Sequence, residues 1–142
     1  EKSSIETLSK YLEHPHQQVR LEAQYELAHR AGQTASADNA IDSLTTMAKE
    51  SKNRLARLHA VWGLGMVART GVSKAAKVLI ELAADPDAEV RAQVAKVLMG
   101  LPIPEGGAVR KFEHTPLEQL YFVLAKLLAD PEPRVVAFAA PT

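Results

Sequence analysis

The chain has 142 residues, of which 46% are hydrophobic and 24% charged, a composition typical of a globular domain. Seventeen basic residues balance seventeen acidic ones, so the overall positive charge that is typical of nucleic-acid-binding domains is absent. The chain contains no cysteine, which excludes disulfide bonds, thiolate zinc sites, cysteine nucleophiles and covalently attached haem. No run of about 18 apolar residues exists, so the sequence predicts no membrane-spanning segment and no membrane contact.

Four amphipathic helices are predicted by apolar side chains that recur three or four residues apart. In chain order they span residues 3–12, 38–49, 73–84 and 116–129. Ser3 and Glu6 predict a capping box at the start of the first helix, and Thr115 with Pro116 predicts a cap for the fourth. Left-handed glycines are expected just past three helix ends, at Gly32, Gly71 and Gly100.

A second type of segment follows each of these helices and repeats along the chain. Its copies align over residues 18–23, 55–60, 89–94 and 134–139. Three copies carry an arginine at the same position, and Val136 takes that position in the fourth. The register steps of 37, 34 and 45 residues are typical of repeats built from two helices.

The second segments contain one stretch with a strand-like pattern and one with two glycines. Residues 19–27 alternate apolar and polar side chains, which is a strand pattern, but their composition favours helix and the copies at 56–64 and 90–98 lose the alternation. We therefore predict helix there. Gly63 and Gly65 lie inside the second copy, where each costs up to about 1 kcal/mol relative to alanine. Close approach of a neighbouring helix is the expected compensation.

Residues 85–94 combine Asp-Pro with a Val-Arg pair and resemble a HEAT repeat. The resemblance covers the whole chain and implies an all-α fold, a HEAT/armadillo-like α-solenoid of about four helix pairs, the last incomplete. We expect residues 1–142 to form a single domain and a fragment of a longer protein, because the chain opens with polar residues and stops inside a hydrophobic run. Residues 101–114, with two prolines and two glycines, predict a loop that protrudes from the stack.

Residues 14–25 and 53–65, the latter containing Arg-Leu-His-Ala-Val-Trp-Gly-Leu-Gly, show a narrower resemblance. They are similar to the helical repeat region of haem-binding, membrane-bound-dehydrogenase-like proteins of the planctomycete and verrucomicrobial type. In that family a propeller domain precedes the repeats and a cytochrome c segment follows them. The resemblance implies a non-catalytic scaffold between domains of a larger redox protein, with a periplasmic or extracytoplasmic location. This chain carries neither a propeller nor a CxxCH motif, so no cofactor is implied for it.

Five side chains are candidates for a partner-binding surface. Arg20, Arg57 and Arg91 occupy equivalent positions in the repeats. They form either a row of cations for an acidic partner or a ladder in which each guanidinium binds a carboxylate or carbonyl of its neighbouring repeat. Trp62, near Arg54, either anchors a partner or fills a groove between repeats and bonds its N–H locally. The expected partners are proteins or neighbouring domains of the same chain. Exposed apolar surface at the ends of the repeat stack also allows an end-to-end homodimer.

Nucleic-acid binding is one alternative function. Lys49, Lys52, Arg54 and Arg57 form the most basic stretch, and HEAT-like DNA glycosylases hold phosphates on such a concave basic surface. Affinity of this kind scales with the number of phosphate contacts, and four cations are few. We expect these side chains to form a solvated face and expect no nucleic-acid partner.

A HEAT-type metal-dependent enzyme is the other alternative. Certain HEAT-repeat oxygenases bind iron through His-Glu dyads, but here the order is reversed in Glu13-His14 and Glu113-His114. None of the five histidines shows ligand spacing on one helix face. We therefore expect no metal, no cofactor and no catalytic residue in this segment.

Overall fold

The computed structural model describes residues 3–33, 37–102 and 117–141. In these ranges all regular structure is helical, which confirms the all-α prediction, and residues 19–27 lie inside a helix. The predicted loop at 101–114 lies outside the described residues except for Leu101 and Pro102. The helices in chain order are α1 Ile5–Tyr11, α2 Gln17–Ala31, α3 Ala37–Glu50, α4 Arg54–Arg69, α5 Ser73–Leu82, α6 Ala88–Met99, α7 Leu117–Leu128 and α8 Pro133–Ala139.

The helices form four consecutive pairs that stack in two layers. The first-helix layer consists of α1, α3, α5 and α7, and the second-helix layer of α2, α4, α6 and α8. Helix α4 packs against α2 and α6 within its own layer and against α3 and α5 in the other. Each pair thus covers the apolar face of the next pair, which confirms an α-solenoid.

One continuous apolar core runs through the stack. Ten of the 16 residues of α4 are buried, so this helix is surrounded by neighbours on most of its circumference. A helix in that position needs apolar side chains on several faces rather than on one stripe. This explains why the second helices lack the clear 3.6-residue periodicity of the first helices.

The start of α1 differs from the prediction by one residue. Ser4, and not Ser3, is the N-cap, and its Oγ accepts a hydrogen bond from the N–H of Thr7 at 3.1 Å. A one-residue choice between adjacent serines is decided by how the chain enters the helix, which the local pattern does not define. The cap predicted at Thr115 and Pro116 lies outside the described residues.

The left-handed conformation predicted for three glycines occurs at Gly71 alone among them, with φ of 92°. Gly32 and Gly100 have φ of −85° and −86°. The amide N–H of each donates to carbonyls three and four residues before it, at 3.1 to 3.3 Å. The last turn therefore ends without a left-handed residue at these two positions, and the prediction was wrong there.

The two glycines inside α4 allow close approach of other helices, as predicted. A Cβ atom at Gly65 would lie 2.5 Å from Cγ1 of Val97 on α6. A Cβ atom at Gly63 would lie 3.0 Å from Cδ2 of Leu44 on α3. The valine is β-branched and has little rotamer freedom in a helix, whereas the leucine contact involves the end of a more flexible side chain.

Replacing Gly65 by alanine is expected to destabilise the fold by about 1–3 kcal/mol, because overpacking against Val97 outweighs the helix propensity gained. Gly63→Ala is the matched change in the same helix and should stay within about 1 kcal/mol of the wild type. Urea unfolding measures both. In Gly65→Ala, adding Val97→Ala should cost less than it costs in the wild type. Equal stability of the two alanine variants would contradict the close approach of α4 and α6.

Candidate functional site

Arg91 joins the third and fourth helix pairs. Its Nε and Nη2 donate to the two carboxylate oxygens of Asp130 at 2.7 and 3.0 Å, and its Nη1 donates to the carbonyl of Asp85 at 2.9 Å. The hydrogen bond from Arg91 holds the pKa of Asp130 below its usual value. Arg57 forms an ion pair with Asp85 across the preceding junction. We call Arg57–Asp85 and Arg91–Asp130 the inter-repeat ladder.

Arg20 occupies the equivalent position at the first junction but has no carboxylate partner in the described residues. It is buried, and its Nη1 donates to the carbonyls of His14 and Pro15 at 2.8 Å each. Its Nε is buried without a hydrogen-bond partner among the described residues. The position that Asp85 holds in the third pair is taken here by a neutral residue, Ser51, so the ladder lacks its first rung.

The backbone supports this equivalence. The Oγ of Ser51 accepts a hydrogen bond from the N–H of Asn53 at 3.1 Å. Asp85 and Asp130 each use Oδ1 in the same way, accepting from the N–H two residues ahead at 2.9 Å. All three side chains therefore organise the same turn before a second helix, and only the two aspartates have an oxygen left for an arginine.

The Oγ of Ser51 also donates to Oε1 of Glu13 at 2.7 Å, so a carboxylate at position 51 would face a like charge. All variants of this prediction therefore carry Glu13→Gln, which removes that charge. In this background, replacing Ser51 by aspartate is expected to raise the free energy of unfolding by about 1 kcal/mol, because the carboxylate supplies Arg20 with the missing acceptor. Ser51→Asn keeps the turn hydrogen bond without the charge and is the matched control. Urea unfolding at neutral pH compares the two. An aspartate variant no more stable than the asparagine variant would show that the first junction does not use a carboxylate.

Polar side chains also cross the junctions of the second-helix layer. The Nδ1 of His59 lies 2.8 Å from Oε1 of Gln24 on α2. Because an amide oxygen only accepts, the neutral ring carries its proton on Nδ1. The indole N–H of Trp62 donates to Oε1 of Gln93 on α6 at 3.0 Å. The two rings of α4 also meet edge to face, with centroids 5.0 Å apart.

Burial sets the protonation of His59. Loss of hydration, followed by the positive charge of Arg20, lowers the pKa of His59 from 6.5 to about 4. The unfolded chain therefore binds one more proton than the folded chain between these two pH values. The contribution of neutral His59 to the free energy of unfolding is therefore complete above about pH 6.5 and decreases as the pH falls towards 4.

The free energy of unfolding is expected to fall by about 2 kcal/mol between pH 7 and pH 5 because of His59. Urea unfolding at several pH values in this range measures the slope. His59→Gln should flatten it, since glutamine does not titrate. His29→Gln, which changes an exposed ring on α2, is the control and should leave the slope unchanged. A wild-type slope that persists in His59→Gln would assign the pH dependence to other groups.

An open groove of about 440 Å³ runs across α2, α4 and α6 and is here called the second-helix groove. Aromatic, thioether, amide and cationic side chains line it: Gln24, Tyr25, Trp62, Met66, Arg69, Gln93, Lys96 and Val97. None of these lining residues is acidic. Since Trp62 is held by its hydrogen bond to α6, one face of the groove is fixed by the stack itself.

Of the five candidate residues, the structure places Trp62 in the second-helix groove and the other four elsewhere. Arg57 and Arg91 pair with carboxylates of the next helix pair, as in the ladder interpretation, whereas Arg20, within the described part of the chain, bonds only to turn carbonyls of its own pair. Arg54 is 65% exposed and pairs at 2.7 Å with Asp87, the N-cap residue of α6. A partner-binding role for these residues stays a prediction.

Sequence reasoning missed Tyr25, Met66, Arg69 and Lys96 as groove residues. The available signal was the repeat alignment, which puts Tyr25, Trp62 and Lys96 at equivalent positions. Equivalent positions in successive repeats lie side by side in a solenoid. That row was visible in the sequence, but the side of the helix facing solvent was not.

Cations of the basic stretch predicted for phosphate binding pair with carboxylates of the next helix pair. Lys49 lies 2.5 Å from Glu81, and Arg54 and Arg57 pair as described above. No group of three metal-ligating side chains occurs within residues 3–33, 37–102 and 117–141. None of the described helices is long and apolar enough to cross a bilayer.

Comparison with known proteins identifies the repeats. A family model described as HEAT repeats matches residues 41–141, more than half of the chain. The chain belongs to the HEAT-repeat family. No curated protein matches it. The HEAT-repeat chain is similar to a crystal structure of an engineered protein from the Northeast Structural Genomics Consortium, with a TM-score of 0.53 and 23% identity. That match covers 97% of this chain and 60% of the engineered one, and it supports the fold alone.

Proposed function

We propose that this HEAT-repeat segment is a non-catalytic scaffold that binds a partner protein, or a neighbouring domain of its own chain, on its second-helix layer. The observation that carries the proposal is the second-helix groove, which three successive repeats build together. Solenoids use extended surfaces of this kind for binding. Tyr25 is 51% exposed there, and partly buried Trp62 lies in the same groove. Aromatic side chains in such positions are typical centres of binding energy.

The proposal assigns no catalytic residue and no cofactor to this segment. The one buried histidine among the described residues, His59, bonds an amide oxygen of Gln24 and lies against an indole. It is used in packing between repeats rather than aimed at a nucleophile. The proposal also assigns no nucleic-acid partner. Lys49, Arg54 and Arg57 pair with carboxylates, which partly neutralise their charge and weaken any attraction to phosphates.

A link between domains of a larger redox protein is the finer part of the proposal. Its support is the resemblance of residues 53–65 to the repeat region of dehydrogenase-like proteins. The continuation of the reading frame in the parent gene decides it. A CxxCH motif downstream would support the link, and a continuation without haem-binding or propeller sequences would dismiss it.

End-to-end pairing of two copies is a further part of the proposal. Tyr121 and Phe122 on α7 in the fourth pair are 55% and 61% exposed, as expected for a stack end that another pair would cover. Sedimentation equilibrium over a range of concentrations distinguishes a dimer from a monomer. Equal stability of the dimer after Phe122→Ser would show that α7 is not its interface.

The scaffold proposal predicts that peptide ligands bind the second-helix layer. We expect a displayed library of random peptides, selected on the full chain, to yield ligands that protect amides of α2, α4 and α6 from hydrogen exchange. Selection on an unrelated helical solenoid is the control, since it removes peptides that bind helices in general. Protection confined to the first-helix layer, or no enrichment over the control, would contradict the proposed binding surface.

A further inference from the structure

We propose that the second-helix groove binds an acidic, apolar peptide segment of another protein, in which side-chain carboxylates follow large apolar side chains at regular spacing. This inference rests on the proposed scaffold function and specifies the chemistry of the partner. It depends on the charges of the groove, on its apolar surface and on the spacing of the repeats.

Arg69 and Lys96 are the two cations of the second-helix groove, and both are exposed. Among the described residues, neither lies within ion-pairing distance of a carboxylate. The Nε of Arg69 makes a long contact of 3.4 Å with the carbonyl of Gly100, and the Nζ of Lys96 lies 5.4 Å from the ring centroid of Phe138. The groove is therefore locally positive although the whole chain is neutral. Carboxylates complement it through charge-assisted hydrogen bonds.

Apolar side chains lie beside these cations in the groove. Tyr25 and Trp62 present aromatic rings, Met66 adds a side chain that adapts to different shapes, and Val97 forms part of the floor. The groove volume of about 440 Å³ accommodates a few side chains of a ligand. Because the groove is open to solvent, the ligand chain can continue beyond it. We therefore take a peptide segment as the occupant of the groove.

The repeat sets the spacing of side chains along the groove. Tyr25, Trp62 and Lys96 occupy equivalent positions on successive second helices, and packed helices lie about 8–10 Å apart. Three residues of a polyproline-II chain span about 9 Å. A peptide that crosses the layer thus places every third side chain on the next repeat. A peptide with two apolar residues and then a carboxylate, each three residues apart, therefore matches Tyr25, Trp62 and Lys96 in that order.

The test uses three acetylated and amidated peptides of twelve residues, so that only side chains carry charge. The first has leucine, leucine and glutamate at three-residue spacing, the second has lysine for glutamate, and the third has serine for leucine. Trp62 is the single tryptophan of the chain, so its fluorescence reports binding at the groove directly. We expect the first peptide to bind most tightly. Lys96→Glu should raise its Kd by about tenfold, and Arg69→Glu should also weaken it.

Lys77→Glu is the matched control, since it reverses an exposed charge on α5 in the first-helix layer and should leave the Kd within about twofold. The lysine peptide should gain affinity for Lys96→Glu, a rescue that a misfolded variant would not give. Equal affinity of the glutamate peptide for the Lys96 and Lys77 variants would overturn the acidic specificity. No fluorescence change with any peptide would overturn the groove as the site. In either case hydrogen exchange with the selected ligands still tests the scaffold proposal independently.

Discussion

Each helix pair in this chain buries its apolar face against the pairs beside it, and α4 has neighbours on both sides in both layers. Most of the driving force is burial of leucine, isoleucine, valine and alanine, which is strong but has little directional preference. The hydrogen-bonded pairs at the junctions supply direction. Arg91 binds a carbonyl of the turn in its own repeat and, simultaneously, the aspartate of the next repeat. This double contact fixes the register of one helix pair on the next. The rigid fork of the arginine guanidinium suits that role better than a lysine would.

The surface of the second-helix layer follows from this register. Gly65 lets α6 approach α4, and the hydrogen bond from Trp62 to Gln93 then holds the indole between the two helices. A ring fixed by its own fold loses little side-chain freedom when another molecule covers it. The packing that stabilises the stack therefore also preorganises the groove, and changes in one affect the other.

The fold could be predicted from the sequence because repeat spacing and the periodicity of the first helices are local signals. The second helices were harder, since a helix buried on several sides shows no single stripe, and α2 even alternates like a strand. The equivalent arginines indicated a ladder. The missing rung at Ser51 became visible only when the turn geometry showed that serine replaces aspartate. Arg69 and Lys96 are ordinary exposed cations in the sequence, and their position beside Trp62 depends on how three repeats stack.

Charge in this molecule is used in two different ways. The arginines of the ladder are largely buried, so salt screens their pairs weakly, and they act within the chain. Arg69 and Lys96 are exposed, so salt screens them strongly. Binding through the groove should therefore weaken with ionic strength under conditions in which the stack keeps its stability. A neutral chain can in this way present a positive surface, because the cations of the second-helix groove have no acidic side chain beside them in its lining.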